Sequence, residues 1–164
     1  MRDRQAEKDK EYMEKAPQAF RFRPDDARSL PRALSHLKID SLKKRAEKTD
    51  DSIGSLSAQR LLESVFVQTS YYLPREFFER GEYARAVLSL SIAAEIKGEN
   101  PFLWYNLSRA YAQMDRKKSA LESLERAVEA GFSGVEGLKN ESDFDSLRED
   151  DDFVSIVLRL EAVK

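Results

Sequence analysis

FLWYNLSRAYAQMDRKKSALESLERAVEAGF, residues 102–132 of a 164-residue chain, decides the fold. Trp104, Leu107 and Tyr111 stand at i, i+3 and i+7, which places them on one face of an α-helix turning every 3.6 residues. After the polar break Asp115-Arg116-Lys117-Lys118, a second such face runs through Ala120, Leu121, Leu124, Ala127 and Val128. The spacing predicts two amphipathic helices joined by a tight turn. Ala120 and Ala127 let the second helix approach the first where leucine would hold them apart, and Trp104 fills the volume between neighbouring units.

Working outward, the same pattern recurs at a fixed offset of 34 residues, at which Leu73, Ala86 and Ala93 align with Leu107, Ala120 and Ala127. A period of this length marks a helix-turn-helix repeat. Residues 102–132 resemble a tetratricopeptide repeat, filling its Trp, Leu, Tyr, Ala and Ala slots with Trp104, Leu107, Tyr111, Ala120 and Ala127. They depart from it at Ser108 (usually Gly), Leu124 (usually aromatic) and Phe132 (usually Pro). The earlier unit keeps only Leu73, Ala86 and Ala93. The stretch after Gly131, with Leu147, Arg148, Asp150 to Asp152 and Phe153, is similar to the segment that closes the last such repeat in bacterial members of the family. The resemblance implies an all-α fold, a short α-α superhelix of two helix pairs with flanking capping helices. The repeats would span about 67–100 and 101–134, and the capping segment 135–164. Two units fall short of the roughly three that a solenoid needs to cover its open faces, so the closing helix and the helix before Pro74 are expected to act as caps.

The flanks are thinner in apolar side chains. Residues 1–24 read as a charged N-terminal tail, whose first fifteen residues offer only Tyr12 and Met13 for burial after the initiator and form a frayed helix or a solvated segment. Residues 25–56 read as short helices and a linker. One helix opens near Asp25, Asp26 and Ser29 and carries Leu30, Leu34 and Leu37, and a second is capped by Asp40 and carries Leu42 and Ala46. KTDDSIGSLS, residues 48–57, is the candidate linker. Residues 57–164 form the repeat domain, in which Ser57 caps a helix running on through Leu61, Leu62, Val65 and Phe66. Pro74 lies inside that pattern and predicts a kink or break near Ser70 to Pro74.

Composition narrows the function classes. Against 28 basic residues stand 30 acidic ones, a formal charge of −2 that gives no global drive toward nucleic acid or anionic membrane. No run of apolar residues is long enough to span a membrane, and the first thirty residues lack a signal-peptide pattern, so the default expectation is cytoplasmic. There is no cysteine, hence neither disulfide nor thiolate chemistry. His36 is the single histidine and has no nucleophile motif or second ligand nearby. Gly131, Gly134 and Gly137 lack the strand and the Lys-Ser/Thr of a phosphate loop and read as a helix cap and turn. The acidic run Glu149 to Asp152 lacks the alternation of a calcium loop and reads as a helix cap. No catalytic residue, metal or cofactor is expected.

In the family that the chain resembles, the first helix of each pair lines a concave groove. The resemblance places Tyr71 and Arg75, then Tyr105 and Arg109, on that face, with Asn106 like the asparagine that peptide-binding members use for backbone. Each Tyr-Arg pair is spaced i, i+4 and therefore shares a helical face. Forked hydrogen bonds from the arginines suit an acidic side chain or a C-terminal carboxylate. The expected function is a non-catalytic protein- or peptide-binding scaffold, while the same tyrosines and arginines read equally as contacts that hold the units together. A rival reading makes the chain the C-terminal accessory or oligomerisation module of a larger protein whose catalytic or export domain lies upstream. Self-association through the aromatic stretch from Phe66 to Phe78 is a third.

Overall fold

A computed structural model describes residues 2–21, 28–48 and 52–162, and every regular element among them is helical, so the protein is all-α. Helix α1 (Arg2–Lys15) runs into a 310 turn (Ala16–Arg21), and α2 (Ser29–His36) and α3 (Ile39–Ala46) follow. Helix α4 (Ile53–Val67) continues through a π-helical turn (Gln68–Tyr72) into α5 (Leu73–Glu79). Then come α6 (Tyr83–Ile96), α7 (Pro101–Gln113), α8 (Lys117–Glu129), α9 (Val135–Asn140), a 310 turn (Ser142–Leu147) and α10 (Asp151–Ala162).

The 34-residue offset is built into the geometry. Helices α6, α8 and α10 begin at Tyr83, Lys117 and Asp151, and α7 and α9 at Pro101 and Val135, each start 34 residues after its counterpart. The turns repeat too. Gly81 N–H donates to Phe78 O and Glu82 N–H to Phe77 O, and one period later Asp115 N–H donates to Ala112 O and Arg116 N–H to Tyr111 O. This C-terminal cap needs a left-handed residue, supplied by Gly81 (φ 68°) and, at an intrinsic cost, by Asp115 (φ 55°). Side chains one period apart also meet: Lys97 pairs with Glu63, Arg109 with Asp143 and Arg159 with Glu125, each at 2.6 Å. Residues 135–162 thus continue the register as a third helix pair, with its first helix split into α9 and the 310 turn.

The small residues at the seams explain the close stacking. Ala86, Leu90 and Ala93 in α6, and Ala120, Leu124 and Ala127 in α8, are all fully buried against the following unit. In α10 the equivalent Val154 and Leu158 lie outward, Leu158 58% exposed, with no later unit among the described residues to cover them.

At the expected kink or break before Pro74, the chain passes through the π-turn. There Leu73 N–H reaches back five residues to Gln68 O, the wider ladder of a π-turn. The next bond in that ladder, from residue 74 to Thr69 O, cannot form because proline has no N–H. Ser89 of α6 supplies the missing donor, its buried hydroxyl lying 2.9 Å from Thr69 O. Ser89→Ala leaves that carbonyl buried and without this donor and should cost about 1–3 kcal/mol in chemical denaturation. An unchanged midpoint would mean that the carbonyl is satisfied elsewhere.

The flanks differ from their sequence reading in three places. The N-terminal stretch, read as a frayed helix or a solvated tail, is a helix, α1, and it is docked: the Tyr12 hydroxyl donates to Leu37 O at 2.6 Å, and Gln5 and Asp9 both bond the Ser57 hydroxyl, at 3.0 and 2.6 Å. Burial of Tyr12 pushes its hydroxyl pKa up to about 12. Ser57, expected to cap α4, is buried one turn inside it, so residues 53–57 of the expected linker are helical, and the cap is Ser52, whose hydroxyl accepts from Ser55 N–H at 3.2 Å. Helix α3 opens at a left-handed Lys38 (φ 51°), with Asp40 in its first turn rather than at its cap. Asp25 and Asp26 lie outside the described residues.

Helix α2 and the 310 turn at Ala16–Arg21 cover the outer side of α6, where Ala19, Ala33 and Leu37 close over Leu88 and Ile92. The aromatic stretch from Phe66 to Phe78 is divided between the interior and the surface. Phe77 is buried, Phe66 and Phe78 are partly buried, and Tyr71 and Tyr72 stand out. No helix among the described residues is long and apolar enough to cross a membrane.

Candidate functional site

Helix α7 carries three of the five expected site residues. It starts cleanly because the Asn100 side-chain oxygen accepts from Phe102 N–H at 3.0 Å and Pro101 occupies the first helical position, where no N–H is needed. With that start, Trp104, Leu107 and Tyr111 turn toward the neighbouring helices. Tyr105 and Arg109 turn toward the third helix pair, and the Asn106 side-chain oxygen accepts from Arg109.

The Tyr105 ring stacks on Phe132 with centroids 4.5 Å apart and planes 15° from parallel, and lies 5.7 Å from Phe144. Gly137 of α9 passes so close that a Cβ there would sit 3.1 Å from the Tyr105 hydroxyl, which explains a glycine inside that short helix. Burial raises the Tyr105 pKa, with Arg109 acting in the opposite sense.

Arg109 is held from all sides. Its Nε donates to Asp143 at 2.7 Å, its guanidinium reaches Glu141 at 3.3 Å, and a third bond goes to the Asn106 side-chain oxygen at 3.2 Å. The guanidinium also lies 4.8 Å from the Phe78 ring of α5. One arginine thus ties α5, α7 and the closing segment together through charge-assisted bonds and a cation–π contact.

The first Tyr-Arg pair is different. Tyr71 is 58% exposed and meets its neighbour Tyr72 edge-to-face, at 5.1 Å, and Arg75 one turn on. Arg75 is exposed and pairs with Glu79 on its own helix at 3.1 Å, and first Glu79 and then Tyr71 raise its pKa. The acidic side chains that close on Arg109 come from the following unit, at 141 and 143. One period earlier those positions hold Leu107 and Arg109, so the following unit offers Arg75 no carboxylate at either place. Glu141 and Asp143 were missed in the sequence reading. Their signal is the period itself, since Asp143 stands 34 residues after Arg109.

The other polar features have local roles. Gly131 (φ 99°) ends α8, with Phe132 N–H donating to Ala127 O, and the Asp150 carboxylate accepts from Asp152 N–H at the start of α10. His36 Nε2 lies 3.0 Å from Lys15 O.

No protein-family model, curated protein or solved structure matches this chain.

Proposed function

We propose that the chain is a non-catalytic scaffold of tetratricopeptide type that binds an acidic segment of a partner protein at the first Tyr-Arg pair, on the π-turn and α5. The observation that carries this reading is the contrast between two equivalent arginines. Arg109, set beside Tyr105, gathers two carboxylates of its own chain against an aromatic ring. Arg75, set beside Tyr71 at the equivalent place, has the same chemistry, and among the described residues its carboxylate partner is the exposed Glu79 of its own helix. A partner's carboxylate would complete at Arg75 what Asp143 completes at Arg109, with Tyr71 and Tyr72 adding apolar contact. Tyr105, Asn106 and Arg109, proposed from the family resemblance as groove residues, then serve this site by fixing the unit beside it.

Titration with a short acidic peptide ending in a free carboxylate tests the reading. Arg75→Ala should weaken binding about tenfold or more, since a hydrogen bond to a charged group contributes about 1.5–3 kcal/mol. The melting temperature should hardly move, because the side chain is exposed and its pair with Glu79 is weak. Equal affinity in Arg75→Ala and the parent protein would refute the site.

A further inference from the structure

A second recess shares no residue with the Tyr-Arg pairs. Helices α6 and α8 both pack on α7 and leave between them an open groove of about 530 Å3. Trp104, Leu107 and Tyr111 of α7 form its floor, and the small side chains Ser91 and Ala94 of α6 face Ser119 and Ser123 of α8 across it.

The period shows why this seam is open while the one before it is closed. Between α2 and α6 the seam is filled with hydrocarbon, Leu88 and Ile92 being buried beneath Ala33 and Leu37. In α8 the residues at those two positions are Glu122 and Arg126, which are too polar to close the seam and stand exposed along it. Glu95, Glu125 and Glu129 complete the rim. Glu125 is paired with Arg159 and Glu122 lies 3.9 Å from the highly exposed Lys118, while Glu95 and Glu129 stand exposed beside the single guanidinium that lines the groove. That guanidinium, of Arg126, lies 4.8 Å from the Trp104 ring and shows in the chain itself how a cationic side chain rests on the groove floor.

We propose that this groove docks a basic amphipathic segment of a partner protein. Lysine or arginine stems would lie along Trp104 and Leu107, with their cations meeting Glu95, Glu122 and Glu129. The choice of a basic partner follows from the rim's charge, and the choice of an amphipathic one from the aromatic floor beneath it.

Trp104 is the only tryptophan in the chain, so its fluorescence reports occupancy of the groove directly. The probes are a synthetic amphipathic helix of leucine and lysine, and the same apolar pattern with glutamate in place of lysine. The lysine peptide should shift the Trp104 emission saturably and less strongly at high salt, and the glutamate peptide should not. Glu122 and Glu129 are both exposed, so Glu122→Lys with Glu129→Lys should fold normally and bind the lysine peptide about tenfold or more weakly. The Arg75→Ala variant should bind it as the parent does, which separates this groove from the site on α5. Three results would overturn the proposal: an equal response to both peptides, unchanged affinity after the charge reversal, or no saturable response to the lysine peptide.

Discussion

Phe144→Ala should destabilise the protein by about 4 kcal/mol, within the usual cost of emptying a fully buried phenylalanine site. Phe144 has no exposed surface and lies on the 310 turn that replaces the second half of a helix in the third pair. Its ring meets Tyr105 of α7 at 5.7 Å and Phe153 of α10 at 5.6 Å, within the cluster that also holds Leu124, Leu138 and Leu147. Truncation would leave a cavity between three elements, and a short 310 turn has little helical stability of its own to hold them in place. Asp143 is the preceding residue, so the Arg109 contacts should loosen together with the packing. Urea denaturation measures the loss. A cost below 1 kcal/mol would mean that the closing segment is not packed on α7 as described.

Trp104→Ala should cost about 3 kcal/mol, toward the lower end for this substitution because the indole is only partly buried. Trp104 packs against two apolar clusters, one spanning α6 and α7 and the other spanning α7, α8 and the third pair. Its indole N–H donates to Gly98 O at 2.7 Å, pinning the turn between α6 and α7. Trp104→Phe keeps part of the packing and loses that bond, so it should fall between the two, about 1 kcal/mol being the hydrogen bond's share. A melting temperature unmoved by Trp104→Ala would contradict the placement of the indole between successive units.

What could be read from the sequence depended on whether the relevant residues are large, apolar and periodic, or small, polar and isolated. The alanines at 86, 93, 120 and 127 and the stripe from Trp104 to Tyr111 announce helix pairs, because close packing demands small residues at fixed spacing. Pro74 announces the bend, because its missing N–H has a definite structural consequence. Docking of α1 left little trace: besides the Tyr12 hydroxyl and bonds among Gln5, Asp9 and Ser57, its apolar contacts come from Tyr12 and Met13, too few to set up a hydrophobic period. Ser52 and Ser57 are equally plausible caps by composition, and only the docked Asp9 explains why Ser57 goes inside the helix. The candidate site was legible by half. Spacing puts Tyr71 with Arg75 and Tyr105 with Arg109, but nothing local reveals that Glu141 and Asp143 of the following unit hold the second arginine while the first pairs with Glu79 of its own helix.

The central claim is that units 34 residues apart lie side by side, through to the closing segment. Because the chain has no cysteine, introduced pairs report on proximity without background. Glu125→Cys with Arg159→Cys, and Glu63→Cys with Lys97→Cys, replace exposed ion pairs whose charged atoms are 2.6 Å apart. Under native conditions a short bifunctional maleimide should bridge each pair within one chain in high yield, while a control pair of Glu63→Cys with Arg159→Cys, two exposed positions in different units, should stay unbridged. Failure of both designed pairs to cross-link in folded protein, or cross-linking of the control as readily as of the pairs, would contradict the stacked arrangement.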